Sequence, residues 1–125
     1  MTVEELKSHI DAIEESYEFF LAYAAQGLTD DSASAVGGQV REYLQRCEDA
    51  LGALVEGFKI HLPSPGDHAD VLEVLERDVN AARAMVRLVK AQGTVSSQLI
   101  DNLNASIHVR ALLTDLFVLD DVLPT

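Results

Sequence analysis

Apolar residues recur along this chain at alternating steps of three and four, and that rhythm limits the fold more than any other feature. Val3, Leu6, Ile10, Ile13, Tyr17, Phe20 and Ala24 fall on one side of a helix. Val40, Leu44, Cys47, Leu51, Leu54, Phe58 and His61 repeat the pattern, and so do His68, Leu72, Leu75, Val79, Ala82, Val86 and Val89. A fourth stretch runs through Leu99, Leu103, Ile107, Leu113 and Phe117. Strand-like alternation is absent, so the reading is all-α.

Turn residues separate the four stretches. Thr2-Val3-Glu4-Glu5 has the form of a capping box, and Gly27 supplies a stop. Thr29-Asp30-Asp31-Ser32 offers caps for a second helix, whose first turns Gly37 and Gly38 weaken by about 1 kcal/mol each relative to alanine. In Leu62-Pro63-Ser64-Pro65-Gly66-Asp67, Pro63 ends the second helix, Ser64 is placed to cap the third and Pro65 fits its first position. Thr94 with Ser97 caps a fourth, and Pro124 closes the pattern. The spacing predicts helices over 3–26, 32–62, 65–92 and 95–119 in one domain, 1–125. Short connections make neighbours antiparallel, which is the plan of an up-down-up-down four-helix bundle.

At 125 residues and 48% hydrophobic, the chain can bury a core without staples. Its lone cysteine, Cys47, excludes an intramolecular disulfide and suits a reducing compartment, so a cytoplasmic location is expected. No leader-like segment and no window of about 18 apolar residues occurs, so no membrane association is expected. A formal charge of -12 repels nucleic acid and anionic lipid. It favours solubility, and it would attract a basic protein partner. Leu112, Leu116, Val118, Leu119, Val122 and Leu123 leave the last helix apolar on most sides. Such a helix needs a further cover, most simply a second copy of the chain, so a homodimer is expected.

In the bundle plan the start of the first helix, both sides of the Pro-rich hairpin and the end of the fourth helix share one end. His9, His61 and His68 fall there, with Glu5 and Asp67 beside them. Imidazole and carboxylate together suit zinc or iron, and bundles build such sites from inward-facing groups on different helices. His108 belongs to the next layer. No glutamate stands three residues before any histidine, so the paired Glu-x-x-His element of ferritin-like di-iron proteins is missing. Glu14-Glu15-Ser16-Tyr17-Glu18 resembles the Glu-Glu-x-x-Glu element of all-α nucleotide pyrophosphohydrolases, in which carboxylates hold magnesium near phosphates. The second acidic element of that family, Glu-x-x-Asp on the next helix, is missing too.

Cys47 sits on a core seam, where a thiol behaves as a small hydrophobe. No Gly-x-Ser-x-Gly elbow and no phosphate-binding glycine loop occurs. The resulting expectation is a non-catalytic helical bundle that binds a protein partner as an adaptor, accessory factor or small chaperone, with no cofactor. The alternative is a metal or small-ligand site at the histidine-bearing end.

Overall fold

The structure, a computed structural model, describes residues 1–33 and 35–124. Among the described residues all regular structure is helical, with no strand. Five helices form: α1 (Val3–Ala24), α2 (Ala35–His61), α3 (Ala69–Lys90), α4 (Ser97–Ala105) and α5 (Ile107–Val122). None is long and apolar enough to cross a membrane.

The first three helices follow the seams. The Thr2 hydroxyl accepts from the Glu5 N–H at 3.0 Å and opens α1, as the capping pattern requires. Beyond the end of α1, Gly27 takes φ +65°, the left-handed conformation that glycine adopts without strain. Leu6, Ile10, Ile13 and Phe20 are buried against Val40, Leu44, Leu51 and Phe58 of α2, and Leu75, Val79, Val86 and Val89 of α3 complete the same cluster.

The boundaries depart from expectation in two places. A single turn of 3-10 helix, Asp31–Ala33, precedes α2, and Ser34, inside the expected helix, lies outside the described residues. Gly37 is buried beneath that turn, where a Cβ atom would collide with the Asp31 carbonyl. The glycine read as a weak point therefore permits a close approach. Pro65–His68 is likewise a 3-10 turn, closed by the Asp67 N–H on the Ser64 carbonyl at 2.9 Å, and α3 starts only at Ala69. Ser64 adopts φ 50° and makes no side-chain cap.

The largest correction concerns the fourth helix, expected as one piece over 95–119. It is broken at Ser106, whose backbone is extended and whose hydroxyl accepts from the Val109 N–H at 3.2 Å. Ser106 thus ends α4 and caps α5. Ser96, not Thr94 with Ser97, caps α4 by accepting from the Leu99 N–H at 3.1 Å. The break resets the helical phase. Ile107 and Phe117, placed on the expected seam, are 74% and 57% exposed, while Ile100, Leu103, Leu112, Leu116 and Leu119 fill the core. The break also divides the packing: α4 lies on α1, whereas α5 lies on α3 and meets α1 only slightly.

Candidate functional site

The end expected to hold a site has little that converges. His61 closes α2, and its Nε2 lies 2.6 Å from the Met1 carbonyl. A carbonyl only accepts, so Nε2 carries the proton and the ring fastens the approach to α1. His68 and Asp67 are exposed in the 3-10 turn, Glu5 is exposed in the first turn of α1, and His9 is half-buried on the same helix. Because the hairpin does not continue as helix, His68 loses the seam phase that would have turned it inward. Among the described residues no group of three or more His, Cys, Asp or Glu side chains is arranged to hold a metal ion.

The opposite end carries a dense polar clasp. Tyr23 is fully buried, and its hydroxyl donates to the Val95 carbonyl at 2.6 Å. The Ser97 hydroxyl donates to the Tyr23 carbonyl at 2.6 Å and accepts from the Leu28 N–H at 2.9 Å. Asp31 accepts from the Val95 N–H at 2.8 Å and from Arg41 Nε at 2.7 Å. Arg41 also donates to the Lys90, Gln92 and Gly93 carbonyls, groups that the end of α3 would otherwise leave unpaired. The Arg41 guanidinium, followed by the Val95 N–H, holds the Asp31 carboxyl below its usual range. Farther along α2, Glu48 is paired with Lys90 and Arg87 of α3, and those two hydrogen bonds lower its pKa in the same way.

A different surface opens between α1 and α5, which meet only slightly. Glu14, Tyr17, Glu18 and Leu21 stand at helical spacing along α1 and face Leu113 and Phe117 across a groove of about 320 Å³. Leu21 is 50% exposed. Burial, then the charges of Asp11, Asp120 and Glu18, raise the pKa of the Glu14 carboxyl, so this rim is crowded with acids. Tyr17 and Leu21 are shared with a second shallow groove bordered by Asp101, Asn104 and Arg110.

Beneath Tyr17 the core holds a void of about 20 Å³, lined by Phe20, Val86, Leu112 and Asn104 among others. That is room for roughly one water molecule. Asn104 is 5% exposed, and neither its Nδ2 nor its Oδ1 has a hydrogen-bond partner. On the α3 side of α5, the Asp115 carboxyl has an enclosed Oδ2 without a partner. Burial, then Asp78, pushes its pKa up to about 7, with Arg77 opposing.

The outer side of α5 is apolar as well. Ile107, Val118 and Val122 are exposed there, in line with Ala111 and Thr114. Cys47 is the contrary case: only 7% exposed, its thiol is pushed up to about 12 by burial and by Glu48, so it is protonated at neutral pH.

Sequence reasoning did not single out Asn104 or the pairing of Asp31 with Arg41. The one local signal was Asn104-Ala105-Ser106, a small polar interruption in an otherwise apolar stretch, with Ser106 placed as a cap. No protein-family model, curated protein or solved structure matches this chain.

Proposed function

We propose that this is a non-catalytic helical protein that works by binding other protein chains, as an adaptor, accessory factor or small chaperone, and that it binds a second copy of itself through α5. In this reading α4 and α5 together take the place of the last helix in an antiparallel four-helix plan. The observation that carries it is the exposure of Ile107, Val118 and Val122 on a helix whose other side is already committed to the core. A continuous apolar stripe on an otherwise acidic surface marks a contact region.

The stripe is also self-complementary. An antiparallel contact centred on Thr114 sets Ile107 against Val122 of the second copy and Ala111 against Val118. Arg110 comes alongside the second copy's Asp121, and within its own chain Arg110 makes no ion pair among the described residues. A two-fold axis duplicates each of these contacts. The protonated thiol of Cys47 supports the non-catalytic part of the reading.

Sedimentation equilibrium at micromolar concentration tests the proposal. The wild type is expected to sediment as a dimer and Val118→Glu as a monomer with an unchanged helical circular dichroism spectrum. A wild type that stays monomeric, or a Val118→Glu variant that stays dimeric, would contradict it.

A further inference from the structure

We propose that the groove between α1 and α5 is a docking site for a basic amphipathic helix of a partner protein. The proposal rests on the protein-binding reading above but uses a different surface from the outer stripe of α5. Glu14, Tyr17, Glu18 and Leu21 form one wall at steps of three, one and three, and Leu113 and Phe117 form the other. From Glu14 to Leu21 is about 10 Å along the axis, two turns of helix. A docked helix with apolar residues at i, i+3 or i+4, and i+7 lays them over Tyr17 between the half-exposed Leu21 and Phe117.

Charge selects the occupant. Glu14, Glu18 and Asp101 border the two grooves, and burial, then the charges of Asp11, Asp120 and Glu18, raises the pKa of Glu14. A second copy of this chain placed on the same face would bring those carboxylates against their own duplicates. Lys or Arg side chains flanking an apolar stripe relieve the crowding instead. Arg110, among the described residues the one cation bordering these grooves, lies in the shallow groove. Asn104 adds a second, independent sign. Asn104, nine-tenths buried and with both amide atoms enclosed and without a partner, lines the void beneath Tyr17 and the shallow groove that shares Tyr17 and Leu21 with the docking groove. A polar side chain or water carried in at that point would supply the hydrogen bonds that the isolated chain leaves unmade.

The probe is a labelled synthetic peptide of Leu and Lys, about 18 residues or five turns long, patterned as an amphipathic helix. Fluorescence anisotropy follows its titration with the full-length protein. Two controls share the design: a scrambled peptide of the same composition without an apolar face, and a peptide with Glu in place of every Lys. Micromolar binding of the basic amphipathic peptide is expected, with both controls weaker by about tenfold or more. Phe117→Ser should weaken binding about tenfold or more. Glu14→Gln with Glu18→Gln should weaken it and flatten its salt dependence. His68→Ala, exposed in the hairpin turn and outside both grooves, should leave it unchanged. Circular dichroism and a melting curve check that each variant is folded.

Equal binding of the scrambled or acidic peptide, or wild-type affinity in the folded Phe117→Ser variant, would overturn the proposal. So would no binding of the basic amphipathic peptide. The two readings fail separately: loss of the dimer with peptide binding intact removes only self-association through α5, and loss of peptide binding with the dimer intact removes only the groove.

Discussion

The clasp near Gly27 and the surroundings of α4 and α5 both contain buried polar side chains, yet they treat them in opposite ways. At the clasp Tyr23, Asp31 and Ser97 are buried and hydrogen-bonded, across three separate segments of chain. Around α5 the Asn104 amide and one Asp115 oxygen are enclosed without partners, while Phe117 and Val118 stand in the open. A satisfied polar network makes one arrangement of the chain more favourable than its competitors. An unsatisfied one costs stability, and natural proteins retain such groups where something other than folding requires them. On the proposed reading the clasp supplies stability, and α5 with its groove supplies binding.

The comparison breaks most easily at Asp31. Asp31→Ala leaves the Val95 N–H unpaired and removes the carboxylate that pairs with Arg41 Nε, so it should destabilise the fold by about 3 kcal/mol in urea unfolding. Because the folded pKa of Asp31 is lowered, its contribution is present above the ordinary carboxylate pKa and is lost as the pH falls below it. The variant should therefore show a shallower acid limb than the wild type. A loss no larger than that of an exposed site would mean that the clasp is ornamental.

Substitutions beside the groove should go the other way. Asn104→Leu removes an unpaired amide and fills part of the void beneath it, and an increase of about 1 kcal/mol is expected in the same unfolding measurement. A decrease would indicate that the amide has a partner in solution. Asp115 has a raised folded pKa, so the stability tied to its proton is fully present below the ordinary value of 3.8 and is lost as pH rises through about 7. Discounted for its partial exposure, the loss amounts to about 1 kcal/mol. Asp115→Asn keeps a donor toward Asp78 and should flatten the decline between those pH values; a variant whose profile parallels the wild type would separate Asp115 from that slope.

The smallest effect is expected at the hairpin end. His68→Ala should change stability by less than about 0.5 kcal/mol, because the ring is exposed. A chelator should leave the melting temperature of protein purified without a tag unchanged. Stoichiometric zinc or iron that depends jointly on His9, His61 and His68 would move the site back to that end and reverse the comparison.

How much of this was legible in the sequence differs by element. The seams of α1, α2 and α3 alternate strongly enough that one helical phase fits, and most of the residues on them became the core, with His68 the exposed exception. Leu99 to Leu123 is apolar on several sides, so more than one phase fits. The phase through Ile107 and Phe117 looked as good as the one through Leu112, Leu116 and Leu119 that packing selects. Ser106 decided between them by capping a new helix, a local event that the longer periodicity conceals.

The clasp was unreadable for another reason: the Tyr23 to Val95 bond joins residues 72 apart, and no local pattern encodes such a pairing. Gly37 was read for its backbone cost when its absent side chain was the point. At the hairpin the inward phase assigned to His68 depended on Pro65 starting an α-helix, and a single 3-10 turn in its place was enough to turn the imidazole out.

The most direct test of the division between a stabilising clasp and a binding face is urea unfolding of the double variant Leu21→Ser with Phe117→Ser. Both side chains are half-exposed on the groove, so the account predicts a midpoint lowered far less than that of Asp31→Ala, together with loss of the basic peptide's binding. A midpoint lowered as far as that of Asp31→Ala would show that the groove is part of the core, and the division would fall.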